Sequence, residues 1–196
     1  MSHFEVFGLP RRLAVDTAEL QRKFYALSRR WHPDFHQAAP ADAQARALEE
    51  SARLNAAYRA LRDPIARVEY LVRLEEGRET REGADEKPKA PPELLAEMFE
   101  IQEALEEAKA GGLDDAGRRG LGADRDRLLA RSHAEEARLT GPLGAAWDAS
   151  DAAARPQALA ALKQALATRA YLRTVIDDLN EALGEQADGH VTHRRH

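Results

Sequence analysis

Cysteine is absent from the 196 residues. Its absence excludes disulfides, a Cys zinc site and thiolate ligation of an iron–sulfur cluster. No apolar run approaches membrane-spanning length, and Met1 to Pro10 lacks the basic start and apolar stretch of a secretory leader. A cytoplasmic chain with no membrane partner is expected. There is no Walker loop and no dinucleotide fingerprint, so nothing in the chain is built to bind ATP. Nor is there an excess of positive charge: the net charge is −5, which argues against general nucleic-acid binding. Alternating strand patterns and repeats of fixed period are missing too. What remains is helical periodicity. With 43% hydrophobic and 32% charged residues, the composition is that of a soluble globular protein with a core, and the periodicity makes the expected fold all-α.

The stretch Phe24 to Phe35 organises the first half. At about 100° per residue, Leu20, Phe24, Leu27 and Trp31 share one helical face, and Arg22, Lys23, Arg29 and Arg30 lie away from it. Asp16 is placed to N-cap this helix. Pro33 ends it and drives His32 out of the α region. The product is a helix with an apolar back, a basic front and a rigid polar tip, His32-Pro33-Asp34. Residues His32 to Pro40 read as a loop. A second helix is expected over about Asp42–Arg62, with Leu48, Ser51, Leu54, Asn55, Tyr58 and Leu61 on one side. Asp63-Pro64 opens a short helix through Val68, Leu71 and Val72.

These elements make an N-terminal domain over 1–76. The Gly-, Glu- and Pro-rich stretch 77–92 reads as a linker, stiffened by Pro88, Pro91 and Pro92. Helical stretches at about Glu93–Lys109, Asp124–Leu139 and Pro156–Leu183, separated at Gly111-Gly112 and Gly141–Gly144, predict a three-helix bundle over 93–183. Residues 184–196 read as a flexible tail.

His32-Pro33-Asp34, between a basic amphipathic helix and a second helix, resembles the hallmark of a J domain. The flanks narrow the resemblance. Phe4-Glu5-Val6-Phe7-Gly8-Leu9-Pro10, and Leu54-Asn55-Ala56-Ala57-Tyr58-Arg59-Ala60-Leu61 followed by Asp63-Pro64, Arg67 and Tyr70-Leu71, are similar to the HscB family. The second half has neither a Gly/Phe-rich segment nor a Cys-rich zinc region, and it has the acidic helical bundle of that family. The resemblance implies a J domain that stimulates the ATPase of an HscA/DnaK-type chaperone through His32, Pro33, Asp34, Arg22, Lys23, Arg29 and Arg30. It implies a C-terminal bundle that carries the IscU-type scaffold of iron–sulfur cluster assembly. Phe35-His36 departs from the family, since many J domains place a basic residue after the aspartate.

On the helix from Glu93, Leu94, Met98, Ile101 and Leu105 form the core stripe. Leu95 and Phe99 fall about 100° away, among Glu100, Glu103, Glu106 and Glu107. By physics alone this pair either completes a wide core or forms an exposed patch for a basic, apolar partner. The resemblance selects binding, through Leu95, Ala96, Phe99, Glu100, Glu103, Glu107 and, on the last helix, Tyr171. That helix is expected to bury Leu162, Leu166, Leu172, Ile176, Leu179 and Leu183.

Three rival readings follow from the same residues. A general J protein would serve other clients. A metal hydrolase would use His32, His36 and Asp34, but Pro33 breaks the helix such ligands need and no ligand beyond this cluster is evident, so no metal is expected. A passive adaptor would carry a basic helix that only solvates. No catalytic residue, cofactor or small-molecule substrate is expected of the chain itself.

Overall fold

The computed structural model describes residues 1–77 and 92–184, apart from the side chains of Glu93 and Lys109. Residues 78–91 of the expected linker, with Pro88 and Pro91, and residues 185–196 of the expected tail therefore lie outside the described residues. No strand occurs among those described, and the fold is all-α. They form two compact units: 1–77 with 138–163, and 92–137 with 164–184.

The first unit begins with α1 (His3–Val6), held by a capping box between Ser2 and Glu5. Next come α2 (Thr17–Trp31), a 3-10 turn (Pro33–His36), α3 (Ala41–Arg62) and α4 (Pro64–Glu75). Asp16 caps α2 as expected, accepting from the Ala18 and Glu19 N–H groups. The Glu19 and Ala18 bonds hold its carboxyl below the ordinary range. Asp63 caps α4 through Ala66 N–H at 2.7 Å, with Pro64 in the first turn. The hairpin is joined by ring stacking, Phe24 on Tyr58 at 4.1 Å.

The expected face of α3 is corrected at two positions. Ala47, Leu54, Ala57 and Leu61 are buried, whereas Leu48 is 62% exposed and Asn55 is exposed. The small Ala47 and Ala57 let the α3 backbone approach its neighbours, so the buried stripe is rotated away from the larger side chain.

The structure also draws the domains differently from the sequence expectation. A contiguous bundle over 93–183 was expected, yet 138–163 packs with the N-terminal residues. Gly141–Gly144, read as a break, is helical: a π turn (Leu139–Leu143) takes in Pro142 and leads into α7 (Gly144–Ala149). A π turn suits proline because its wider ladder tolerates the missing N–H. Leu139 and Trp147 are wholly buried in this unit. Asp148 grips the loop ahead of α2, accepting from Leu13 N–H at 2.8 Å and Ala14 N–H at 2.7 Å. From α4, the buried Arg67 donates to the Leu13 carbonyl at 2.6 Å and to the Leu61 carbonyl at 2.7 Å. The backbone that delivers Asp16 to α2 is thus held from both sides.

The second unit is a three-helix core of α5 (Leu95–Gly111), α6 (Asp115–Arg138) and the later part of α8 (Arg155–Leu183). A 3-10 turn (Pro92–Leu94) precedes α5. Leu94, Met98, Ile101 and Leu105 meet Leu121, Leu128, Leu172, Ile176 and Leu179. Gly112, at φ 79°, ends α5 as expected. The helix α6 starts well before Asp124, because Asp114 accepts from Gly117 N–H at 2.7 Å and Leu121 is buried. Glu97 pairs with Arg127 and Arg131, and Glu136 with Arg169, which ties the helices at their rims. Leu162 is buried but belongs to the first unit, and Leu166 is half-buried.

Candidate functional site

At the tip of α2 the backbone conformation follows from proline. His32 is extended (φ −66°, ψ 126°), as a residue before proline must be. Its Nδ1 accepts from Asp34 N–H at 3.3 Å, capping the turn Pro33–His36. That bond requires an unprotonated Nδ1. The Asp34 carboxylate, 3.5 Å away, is an ion-pair partner only when the ring carries its second proton. The carboxylate is otherwise open, its side chain 70% exposed. Phe35 N–H donates to the His32 carbonyl at 3.0 Å. His36 turns inward, stacking on Trp31 and donating from Nε2 to the Arg30 carbonyl at 3.0 Å. Gln44 donates to the Gln37 and Ala39 carbonyls and fastens the loop to α3. The tip is a pre-organised acceptor-and-imidazole pair.

The four basic residues divide into two rows. Arg22 and Arg29, two turns apart, are exposed. On the neighbouring row, Lys23 pairs with Glu19 at 2.9 Å and Arg30 lies over the Trp31 ring at 5.1 Å. Arg22 and Arg29 therefore present the less committed charges.

In the second unit the alternatives for Leu95 and Phe99 separate clearly. The core is filled by Leu94, Met98, Ile101 and Leu105, and Leu95 and Phe99 remain 53% and 72% exposed. They line a groove of about 620 Å³ with Met98, Gln102, Glu103, Glu106, Glu107 and Tyr171. Tyr171 is half-buried, one side against the core and the other on the groove. Of the residues carried over by resemblance, Leu95, Phe99, Glu103, Glu107 and Tyr171 come together here. Ala96 and Glu100 are exposed on the flank of α5 and do not line it. Gln102, Glu106 and Met98 line it and were not predicted. A wheel of α5 places Gln102 and Glu106 on either side of Leu95, a signal the sequence did carry.

The DnaJ domain family matches residues 2–70. The co-chaperone protein HscB homolog of Ralstonia nicotianae is 39% identical over 116 residues, 59% of this chain and 64% of the relative. That of Vibrio vulnificus is 37% identical over 111 residues, 57% of this chain and 63% of the relative. The solved chaperone HscB from Vibrio cholerae is 28% identical, with a TM-score of 0.54 over 91% of this chain and 99% of that one.

Residues 2–70 form a J domain, and the chain is similar to HscB co-chaperones in sequence and in fold.

The human co-chaperone HscB crystal structure, 23% identical, shares the fold with a TM-score of 0.59 over 92% of this chain and 81% of that one. The sequence matches to the curated HscB homologs span less than two thirds of those relatives' own length. The chain's described residues carry an N-terminal J domain and a C-terminal helical core. The holding residues Arg67 and Asp148 were not assigned this role from sequence. Arg67 stood only within a matching motif, and Asp148 lay between the helices expected over Asp124–Leu139 and Pro156–Leu183 with no reading of its own.

Proposed function

We propose that this chain is a co-chaperone with two docking surfaces, one for an HscA/DnaK-type ATPase and one for an IscU-type iron–sulfur scaffold. His32, Pro33 and Asp34, with Arg22, Lys23, Arg29 and Arg30, engage the chaperone. Leu95, Ala96, Phe99, Glu100, Glu103, Glu107 and Tyr171 engage the scaffold. The observation that carries this reading is the exposed Phe99 and Leu95 beside Tyr171 over a core that is already full. An aromatic left in water at the centre of an acid-rimmed groove suits a partner with an apolar centre and basic edge.

On the chaperone side, the open Asp34 carboxylate accepts hydrogen bonds from a cationic donor such as an arginine, and the capped turn presents it at little entropic cost. The arginine rows speed and orient encounter with an acidic surface, an effect that salt screens. Hydrolysis takes place in the partner; this chain contributes binding energy that favours the partner's hydrolysing state. One chain holding both partners raises the scaffold's local concentration at the chaperone.

Steady-state ATPase activity of HscA, alone and with IscU, tests the reading. The wild-type chain stimulates it, IscU enhances that stimulation, and His32→Gln abolishes it. Phe99→Ala weakens IscU binding in isothermal titration by about tenfold to thirtyfold, as loss of a central aromatic anchor does. Stimulation indifferent to IscU would assign the chain to other clients, and none at all would overturn the chaperone surface.

A further inference from the structure

Phe35 stands out on the first unit as an apolar side chain with a fixed outward direction. It is 71% exposed, although it follows Asp34 directly. Its neighbour His36 has taken the inward place on Trp31, and the bond from Phe35 N–H to the His32 carbonyl fixes the turn between them. The ring meets His32 edge-on at 5.9 Å. Tyr25, on α2, is a second exposed aromatic of this unit at 60%. Phe35 is therefore the exposed aromatic in contact with the imidazole, and Arg22 and Arg29 are exposed on α2 behind it.

We infer that Phe35 is the apolar anchor of the chaperone-docking surface. The inference rests on the function proposed above. Its occupant is the Hsp70-type chaperone proposed above to engage His32 and Asp34. Contact geometry carries the assignment. Phe35 touches His32 and adjoins Asp34, so a partner that engages both polar groups must also cover the ring. Covering a ring already held in place removes apolar surface from water with little ordering cost, which is how an interface anchor outweighs its polar rim. An acidic surface alone would complement the arginine rows and leave the ring without a role.

The contribution is apolar, so salt should not erase it, whereas the arginine contribution should fade. The test titrates the full chain into HscA and into DnaK, reading ATPase rate at low and high salt. Phe35→Ala should raise the half-stimulating concentration about tenfold at both salts and leave the plateau rate in place. Phe35→Leu should recover most of the loss and Phe35→Lys should not. Arg29→Gln should weaken stimulation at low salt only. If the wild type stimulates and Phe35→Ala shares its half-stimulating concentration, the anchor is refuted and the functional reading stands. A Phe35→Ala loss that vanishes at high salt, or that Phe35→Lys repairs, refutes it as well. If the wild type stimulates neither chaperone, the functional reading falls and takes the anchor with it.

Discussion

Arg67→Met removes the guanidinium that joins three segments of the first unit while keeping a side chain of similar reach. Arg67 is 4% exposed and donates to the Leu13 carbonyl ahead of α2 and to the Leu61 carbonyl at the end of α3. Late helix carbonyls lack an intrahelical partner, so Leu61 depends on an outside donor. Each buried carbonyl left unpaired costs about 1–3 kcal/mol. An offset works the other way. Burial lowers the guanidinium's pKa, so its charge is costly to hold, and Nη2 has no hydrogen-bond partner among the described residues. Met relieves that cost, which leaves a net loss of about 2–4 kcal/mol. Urea unfolding followed by far-UV circular dichroism measures it. Arg67→Lys should fall between the two, since one ammonium cannot reach both carbonyls with the planar fork of arginine. A loss below about 1 kcal/mol for Arg67→Met would refute the holding role.

Two further predictions concern the same loop. Asp148→Ala frees the Leu13 and Ala14 N–H groups and should destabilise the unit by about 1–2 kcal/mol, with earlier proteolysis around residues 9–15; an unchanged urea midpoint would count against the grip. Asp16 has a folded pKa below its ordinary value, chiefly through the Glu19 N–H bond, so its charge stabilises the fold above the ordinary carboxylate range. That contribution disappears as pH falls through the lowered value. Asp16→Asn keeps the capping acceptor without the charge. The wild type should therefore be the more stable at neutral pH and the two should converge in acid, whereas a gap independent of pH would refute the electrostatic account.

The chain's order of residues was enough to place the helices of the J domain, the turn at Pro33 and the caps at Asp16 and Asp63. These are local matters, decided by proline geometry, side-chain capping and a period of 3.6 residues. The core stripe of α5 was legible for the same reason, as Leu94, Met98, Ile101 and Leu105 are its only evenly spaced apolar row. Whether Leu95 and Phe99 joined that core could not be read, because the answer depends on how wide a bundle α6 and α8 build around it. Their exposure, and Tyr171 across the same groove, came from tertiary packing. Packing also chose Ala47 over Leu48 as the buried residue on α3, since close approach of helices favours the smaller side chain. The same holds for residues 138–163. Their glycines and Pro142 read locally as a break, but a π turn absorbs the proline, and Trp147, Asp148 and Leu13 belong together only through contacts more than a hundred residues apart in sequence.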